Sequence, residues 1–164
     1  ALLECFIAAA SGLADELGAQ LVVGGPLLSD GELARLQALA AGTSIEVRRF
    51  VAGLDRLIAS SHLVVTMPGY NTTCELLSSP ARAIVVPRAG PSQEQRMRAA
   101  WLDSWKRARV LDPSKLEPDR LADELRHALS DPAPPSAPVP VSGIANAIRL
   151  IEALALGAGK PMPA

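Results

Sequence analysis

The sequence is poor in aromatic side chains, cysteine and net charge. Phe, Trp and Tyr make up 3% of its 164 residues, and the two cysteines, Cys5 and Cys74, lie far apart. Sixteen Lys and Arg residues are balanced by seventeen Asp and Glu residues. Two distant cysteines do not form a disulfide framework, which favours a reducing, cytoplasmic compartment. A near-neutral chain lacks the basic excess that neutralises nucleic-acid phosphates, so we expect no nucleic-acid partner.

Long apolar runs are also missing. No run approaches the roughly 18 residues that a membrane-spanning helix needs, so we expect no transmembrane segment. The apolar opening of the chain has no basic flank and contains Glu4, which argues against a signal peptide. Hydrophobic residues nevertheless make up 49% of the chain, which excludes a disordered protein. A chain of this length can bury a core of its own as one domain.

What the sequence does contain is an alternation of strand and helix patterns. Short Val- and Ile-rich runs bounded by Gly or Pro predict buried strands at 19–25, 44–50, 62–68 and 81–87, with a weaker candidate at 108–112. Helical spacing relates Leu33 to Leu36 and Ala40, Met97 to Trp101 and Trp105, Leu121 to Leu125 and Leu129, and Ile144 to Ile148 and Ile151. This alternation predicts an α/β domain with a Rossmann-like, doubly wound parallel sheet.

The two ends depart from that pattern. A helical stripe already runs through the first residues, so we expect the first strand of the fold and the loop after it to be missing. The proline-rich segment 131–141 predicts an extended connector, and residues 142–156 predict an apolar helix that stops at Gly157. That helix either docks onto another surface or follows a flexible interdomain linker. The chain thus divides into a domain at 1–130, a connector at 131–141 and a helix with a tail at 142–164.

Ligands of open parallel sheets bind beyond the carboxyl ends of the strands, which selects four loops. These loops are Gly24–Pro26, Phe50–Gly53, Met67–Thr72 and Pro87–Gln95. The proline of the first loop removes an amide that a phosphate loop would need. His62 and His127 lie far apart and are not part of a metal-binding motif. No sequence motif of a phosphate loop or a nucleophilic serine is present.

The third loop leads into a helix through Thr72-Thr73-Cys74-Glu75. Unpaired amides at a helix start can hold a phosphate, Gly69 lets a ligand approach the backbone, and Glu75 can accept bonds from a ribose diol. The same T-x-x-E spacing is also a capping box, in which Thr72 and Glu75 only satisfy the helix start. Spacing alone favours the capping box, and Cys74 is a weaker candidate as a nucleophile.

The fourth loop is open to two interpretations as well. Ser92 and Gln95 have the spacing of an S-x-x-Q capping box. Glu94 and Gln95 also place two polar side chains at the carboxyl edge of the sheet, where they can bind sugar hydroxyls. Arg88 and Arg96 can pair with a phosphate or be ordinary surface charges.

Residues 55–102 resemble the donor-binding half of a GT-B glycosyltransferase. The order of a strand, G-Y-N-T-x-x-E at 69–75, V-P at 86–87 and P-x-x-E-Q at 91–95 is similar to the MurG-like C-terminal domain of glycosyltransferase family 28. Within that family it is most similar to a bacterial branch of predicted glycosyltransferases. The resemblance favours ribose binding by Glu75 over the capping box.

The resemblance implies a role for each candidate residue. Val51 would contact the uracil edge through its backbone, and Glu94 with Gln95 would read the donor sugar. The diphosphate would lie against the loop and helix start, which comprise Gly69, Tyr70, Asn71 and Thr72. The family transfers a sugar, here a hexosyl group from a UDP- or related nucleotide sugar, with inversion and without a bound metal or another cofactor.

The resemblance also implies what this chain lacks. The family's acceptor-binding N-terminal domain, which usually supplies the general base, would be a missing domain or a partner subunit, so no catalytic residue is assigned here. We therefore expect a fragment of a larger transferase, binding donor weakly and inactive alone. One alternative is a non-catalytic subunit of a split glycosyltransferase that acts through protein docking. Another is nucleotide-sugar epimerisation on the same scaffold, which needs more acidic and histidine groups than the cleft offers.

Overall fold

The computed structural model describes residues 1–90, 93–136 and 143–155. The strands are β1 (Gln20–Val23), β2 (Ile45–Arg48), β3 (Leu63–Thr66), β4 (Arg82–Val85) and β5 (Arg109–Val110). The helices are α1 (Leu2–Ser11), α2 (Ala14–Leu17), α3 (Asp30–Ala40), α4 (Leu54–Ser60), α5 (Tyr70–Leu77), α6 (Glu94–Ser104), α7 (Pro118–Ser130) and α8 (Gly143–Ala155), with a 3₁₀ turn at Pro113–Lys115. Every strand lies within a predicted run.

All strand pairs are parallel, which confirms the predicted α/β class. They form two separate sheets, because β1 pairs with β2 while β4 lies between β3 and β5. Within the described residues, no backbone ladder joins β1 to β3. The division into two pieces was not predicted from the sequence.

The strands of the larger sheet are covered on both faces. Ile84 and Val86 pack on the side of α1 and α7, whereas Ala83 and Val85 pack on the side of α4, α5 and α6. Successive residues of a strand point to opposite faces, so a run of apolar residues is what a doubly covered strand requires. The Ala-Ile-Val-Val run therefore places helices on both sides of β4.

Helix α1 holds the two sheets together. Its Cys5 packs in the cluster that contains Ile84 of β4, and its Ile7 packs in the cluster that contains Val22 of β1. Phe6 contacts both clusters. Residues two apart on a helix point about 200° away from each other, so one short helix serves two cores.

Helix α8 differs from the other helices because its apolar side chains are exposed. Ile144 is 77% exposed and Leu154 is 67% exposed, so docking, one of the two alternatives for this helix, is not seen within the described residues. The predicted stop at Gly157 and the connector prolines Pro138 and Pro140 lie outside those residues. The helices of the described ranges are all too short or too polar to cross a bilayer.

The two tryptophans of the chain stack at the end of α6, where Trp101 lies in the last turn and Trp105 follows it. The ring centroids of Trp101 and Trp105 are 6.3 Å apart, and their planes are inclined by 18°. Trp101 is 46% exposed, so the pair lies at the surface rather than in the core.

Candidate functional site

The start of α5 is open. The helix begins at Tyr70 after Gly69, whose backbone is extended (φ −65°, ψ 162°), and no side chain caps it. The first bonded amide belongs to Thr73, which donates to the Gly69 carbonyl at 2.9 Å. The N–H groups of Tyr70, Asn71 and Thr72 therefore have no partner within the helix. They form a set of donors that can receive an anion.

The capping box, which the spacing of Thr72 and Glu75 alone favoured, is not formed. The helix begins two residues before Thr72, so Thr72 is already inside the first turn and cannot be the residue that precedes the helix. Glu75 lies beyond the position from which a glutamate reaches back to the helix start. The residue that precedes α5 is Gly69, which satisfies no amide with a side chain.

One carboxylate oxygen of Glu75 has no hydrogen-bond partner among the described residues. The side chain is half-buried, and this oxygen, Oε2, is shielded from solvent. A buried carboxylate oxygen without a donor destabilises the folded state. The arrangement can be relieved by a ligand that brings hydroxyl donors.

Helix α6 is bonded to the loop before α5 through Arg98. Its Nε donates to the Pro68 carbonyl at 2.8 Å, and Nη2 donates to Glu94 at 3.4 Å. The Arg98 side chain is only 15% exposed, so this link is largely shielded from solvent. Sequence reasoning missed Arg98, although the E-x-x-x-R spacing with Glu94 was a usable signal.

Gln95 is committed to the loop after β4. Its Oε1 accepts the backbone N–H of Arg88 at 2.7 Å, which fixes the side chain at the edge of the sheet. The residue that precedes α6 is Gln93, and no side chain caps this helix. The predicted box is therefore not formed by Gln95, and Ser92 lies outside the described residues.

Val51 lies in the turn between β2 and α4. It is 8% exposed, in contrast to its neighbour Phe50, which is largely exposed. Helix α4 packs against α5 through Ile58 and Leu76. The third loop is therefore bonded to α6, the helix that follows the fourth loop, and the Val51 turn is related to them through helix packing.

The remaining candidates have simpler explanations. The amides of Gly24 and Gly25 donate to the backbone of residues 48 and 49, so they are not free for a phosphate. His62 and His127 are exposed, and so are the side chains of Arg88 and Arg96. Cys74 is a free, half-buried thiol. Within the described ranges, no cluster of three or more His, Cys, Asp or Glu side chains is arranged to hold a metal ion.

Residues 27–147 match the family model described as the glycosyltransferase family 28 C-terminal domain. Over 90 residues the chain is 38% identical to UDP-N-acetylglucosamine--N-acetylmuramyl-(pentapeptide) pyrophosphoryl-undecaprenol N-acetylglucosamine transferase of Methylobacterium radiotolerans, covering 54% of this chain and 24% of that protein. The protein of the same name from Rhizobium etli is 30% identical over 123 residues, covering 73% and 33%. The chain thus spans about a quarter to a third of the length of these curated relatives.

Solved structures share the fold. Acinetobacter baumannii MurG superposes with a TM-score of 0.62 at 18% identity, covering 89% of this chain and 46% of that one. The calicheamicin glycosyltransferase CalG4 superposes with a TM-score of 0.61 at 19% identity, covering 97% and 40%. These neighbours confirm the predicted GT-B architecture, in which this chain corresponds to a Rossmann-like half.

Proposed function

The chain belongs to glycosyltransferase family 28, as its C-terminal domain, and from this premise we propose that it holds the nucleotide-sugar donor of a hexosyltransferase. The observation that carries the proposal is the start of α5, where three unpaired amides lie one turn before a buried, unpartnered carboxylate oxygen. The amides suit a diphosphate, and the carboxylate suits two adjacent hydroxyls of a ribose.

The electrostatics of α5 support an anion at this place. The first turn of α5 contains no acidic residue, whereas α3, α4, α6 and α7 each carry one or more. A helix start is equivalent to roughly half a positive charge, which acidic side chains normally offset. At α5 that charge is left for the ligand at the amides of Tyr70, Asn71 and Thr72, whereas the amide of Gly69 donates to the Met67 carbonyl at 2.8 Å.

The neighbouring loops would read the two ends of the donor. Glu94 and Gln95 lie at the start of α6, where Arg98 pairs with the exposed Glu94 carboxylate and the backbone N–H of Arg88 donates to Gln95, and we assign their remaining polar atoms to the hydroxyls of the donor sugar. Val51 has a buried side chain in an otherwise exposed turn after β2, and we assign its backbone to the base. The two curated relatives are named for the use of UDP-N-acetylglucosamine, which supports a uracil base here.

The reaction we propose is an inverting transfer without a bound metal. As the bond to the sugar breaks, negative charge develops on the leaving diphosphate. Preorganised amides and the helix dipole stabilise such charge where it forms. The acceptor and the general base would come from another domain or a partner subunit. The free thiols of Cys5 and Cys74 support a cytoplasmic setting.

Calorimetric titration with UDP tests the site. We expect the unaltered chain to bind UDP weakly and Glu75→Ala to weaken that binding by a further ~1.5–3 kcal/mol, because a charged hydrogen-bond acceptor is lost. Glu16→Ala removes a distant carboxylate, paired with Arg126, and should leave binding unchanged. Equal affinities of Glu75→Ala and the unaltered chain would refute ribose binding by Glu75.

The stability of Glu75→Ala provides a second test, because a ligand-binding glutamate and a structural glutamate predict opposite effects on the free energy of unfolding. Glu75→Ala removes a buried oxygen that has no partner, so the free energy of unfolding without nucleotide should stay constant or rise. A purely structural glutamate would show the reverse, namely lower stability and unchanged UDP binding. Urea denaturation of both proteins distinguishes these cases.

A second candidate function is a non-catalytic subunit of a split glycosyltransferase that acts through docking. The observation that favours it is the exposed apolar face of α8, which includes Ile144, Ile148, Ile151 and Leu154. Light scattering coupled to size exclusion tests it. A monomer that binds UDP would support the donor site, whereas self-association without UDP binding would support docking.

A further inference from the structure

Arg107 is a buried cation at the far end of the helix that starts the donor site. The residue is 3% exposed and follows α6. Nη2 of its guanidinium donates to the carbonyl of Leu76, in the last turn of α5, and to that of Ser79, two residues after the helix ends, each at 2.5 Å. Lys106 has a left-handed backbone (φ 54°), and this turn directs the next residue inwards.

These bonds from Arg107 supply hydrogen-bond donors and a positive charge at the carboxyl-terminal end of α5. The last carbonyls of an α-helix have no partner within the helix and carry its negative end. A guanidinium supplies several donors in a rigid fork together with a positive charge. Burial lowers the pKa of Arg107, yet the group stays charged because the ordinary pKa of arginine lies far above neutrality. Arg107 therefore fixes the position of the last turn of α5.

We propose that Arg107 is a positioning residue of the donor site, an inference that rests on the proposed function. Helix α5 has eight residues, so a displacement of its last turn is transmitted directly to its first turn. Catalytic and binding groups must be held within fractions of an ångström, and the residues behind them supply that precision. Arg107 holds α5 so that the amides of Tyr70, Asn71 and Thr72 face the diphosphate.

The same guanidinium reaches the proline-rich connector. Nη1 of Arg107 donates to the Pro135 carbonyl at 2.5 Å. A cavity of about 320 Å³ lies beside this contact, lined by Arg82, Lys106 and the connector, so the connector is not closely packed there. One cation therefore bonds the end of the donor helix and the segment that leads to α8. Any coupling that Arg107 provides between donor binding and the connector contact has the same free energy in both directions.

Two substitutions of Arg107 test the inference by calorimetry with UDP. Arg107→Gln, which loses the charge and the fork, should raise the Kd for UDP about fivefold or more. Arg107→Lys, which keeps the charge, should give a smaller increase. Leu125→Ala is the matched control, because Leu125 is buried against α1 and its loss lowers stability far from α5. This control should leave the Kd unchanged.

Amide NMR without nucleotide supplies a readout that general destabilisation does not move. Arg107→Gln should shift the amide resonances of Gly69, Tyr70, Asn71 and Thr72, and Leu125→Ala should not. Unchanged shifts and an unchanged Kd in a folded Arg107 variant would overturn the inference. If Arg107→Gln does not fold, Arg107→Lys decides by the same two measurements. If the unaltered chain binds no UDP, the proposed donor site fails and this inference fails with it.

Discussion

Helices α3 and α5 both follow a strand of the same parallel fold, yet their first turns are built in opposite ways. At α3, Ser29 precedes the helix and accepts the amide of Glu32, while Glu32 accepts the amide and the hydroxyl of Ser29 at 3.0 and 2.6 Å. At α5 the residues with the same spacing, Thr72 and Glu75, lie inside the helix. The same motif closes one helix start and leaves the other open.

The difference shows that the position of the S/T-x-x-E motif relative to the first helical residue decides whether its side chains cap the helix. A glutamate three residues after the residue that precedes a helix satisfies the helix itself. A glutamate placed three residues further along cannot reach back, so its oxygen stays available to another molecule. Each variant below alters one of these two helix starts, and the largest expected effect comes first.

Proline at the first position of each helix gives the strongest test of the difference between the two helix starts. Tyr70→Pro removes one amide from the open start, and we expect UDP binding to weaken by about 1.5–3 kcal/mol because a hydrogen bond to a charged group is lost. The fold should tolerate the change, since proline suits the first helical position and Gly69 has the extended backbone that precedes proline (ψ 162°). Calorimetry with UDP measures the effect.

Two controls accompany that variant. Asp30→Pro makes the same change at α3, after Ser29 with ψ 160°, and should not alter UDP binding. Tyr70→Ala removes the exposed side chain but keeps the amide, so it separates the ring from the N–H group. Equal affinity of Tyr70→Pro and Tyr70→Ala would contradict a role for the Tyr70 amide.

The closed start should respond in stability instead. Ser29→Ala removes the residue that caps α3, and we expect the free energy of unfolding to fall by about 1 kcal/mol. Urea denaturation measures this loss, and UDP affinity serves as the unchanged reference. A variant that weakened UDP binding while remaining as stable as the original would show that α3, and not only α5, meets the ligand.

Acid should weaken the hydrogen bonds between Ser29 and Glu32 at the start of α3. The hydrogen bonds from the hydroxyl and amide of Ser29 lower the pKa of Glu32 below its ordinary value of 4.5. A carboxyl whose pKa is lowered by folding stabilises the fold above its unfolded pKa and loses this contribution as the pH falls through the folded pKa. The stability difference between the unaltered chain and Glu32→Gln should therefore shrink as the pH falls below 4.5. A difference that is independent of pH would contradict the bond.

The smallest effect is expected at Thr72. Since Thr72 does not cap α5, Thr72→Ala should change the free energy of unfolding by no more than about 0.5 kcal/mol. It should also leave UDP binding nearly intact, because the amide that we assign to the phosphate remains. A loss of about 1 kcal/mol, as at Ser29, would restore the capping interpretation.

Much of this structure could be predicted because its signals are local. The runs at 19–25 and 81–87 contain β1 and β4, since a strand covered on both faces needs a short apolar sequence. The motif at 69–75 identified the segment that contains the first turn of α5, and the spacing of residues 121–129 located α7.

What could not be predicted depends on distant partners. The start of α5 at Tyr70 was missed because Gly69 precedes the helix without any side-chain bond, which leaves no mark in the sequence. Arg98 and Arg107 resemble ordinary surface arginines until the fold brings them to carbonyls 30 and 28 residues away. The division into two sheets could not be predicted either, because it depends on which strands pair in the folded chain.

The tryptophan stack gives the protein an optical reporter of its own. Trp101 and Trp105 are the only tryptophans in the chain; Trp101 lies on the helix that begins with Glu94 and Gln95, and Trp105 is the residue that follows its last turn. Emission excited at the red edge of the indole band, beyond the absorbance of uracil, therefore originates from the carboxyl-terminal end of α6 and the residue after it. Movement of that helix when a sugar nucleotide arrives would alter the overlap of the two rings, so occupancy could be followed in real time without attaching a dye.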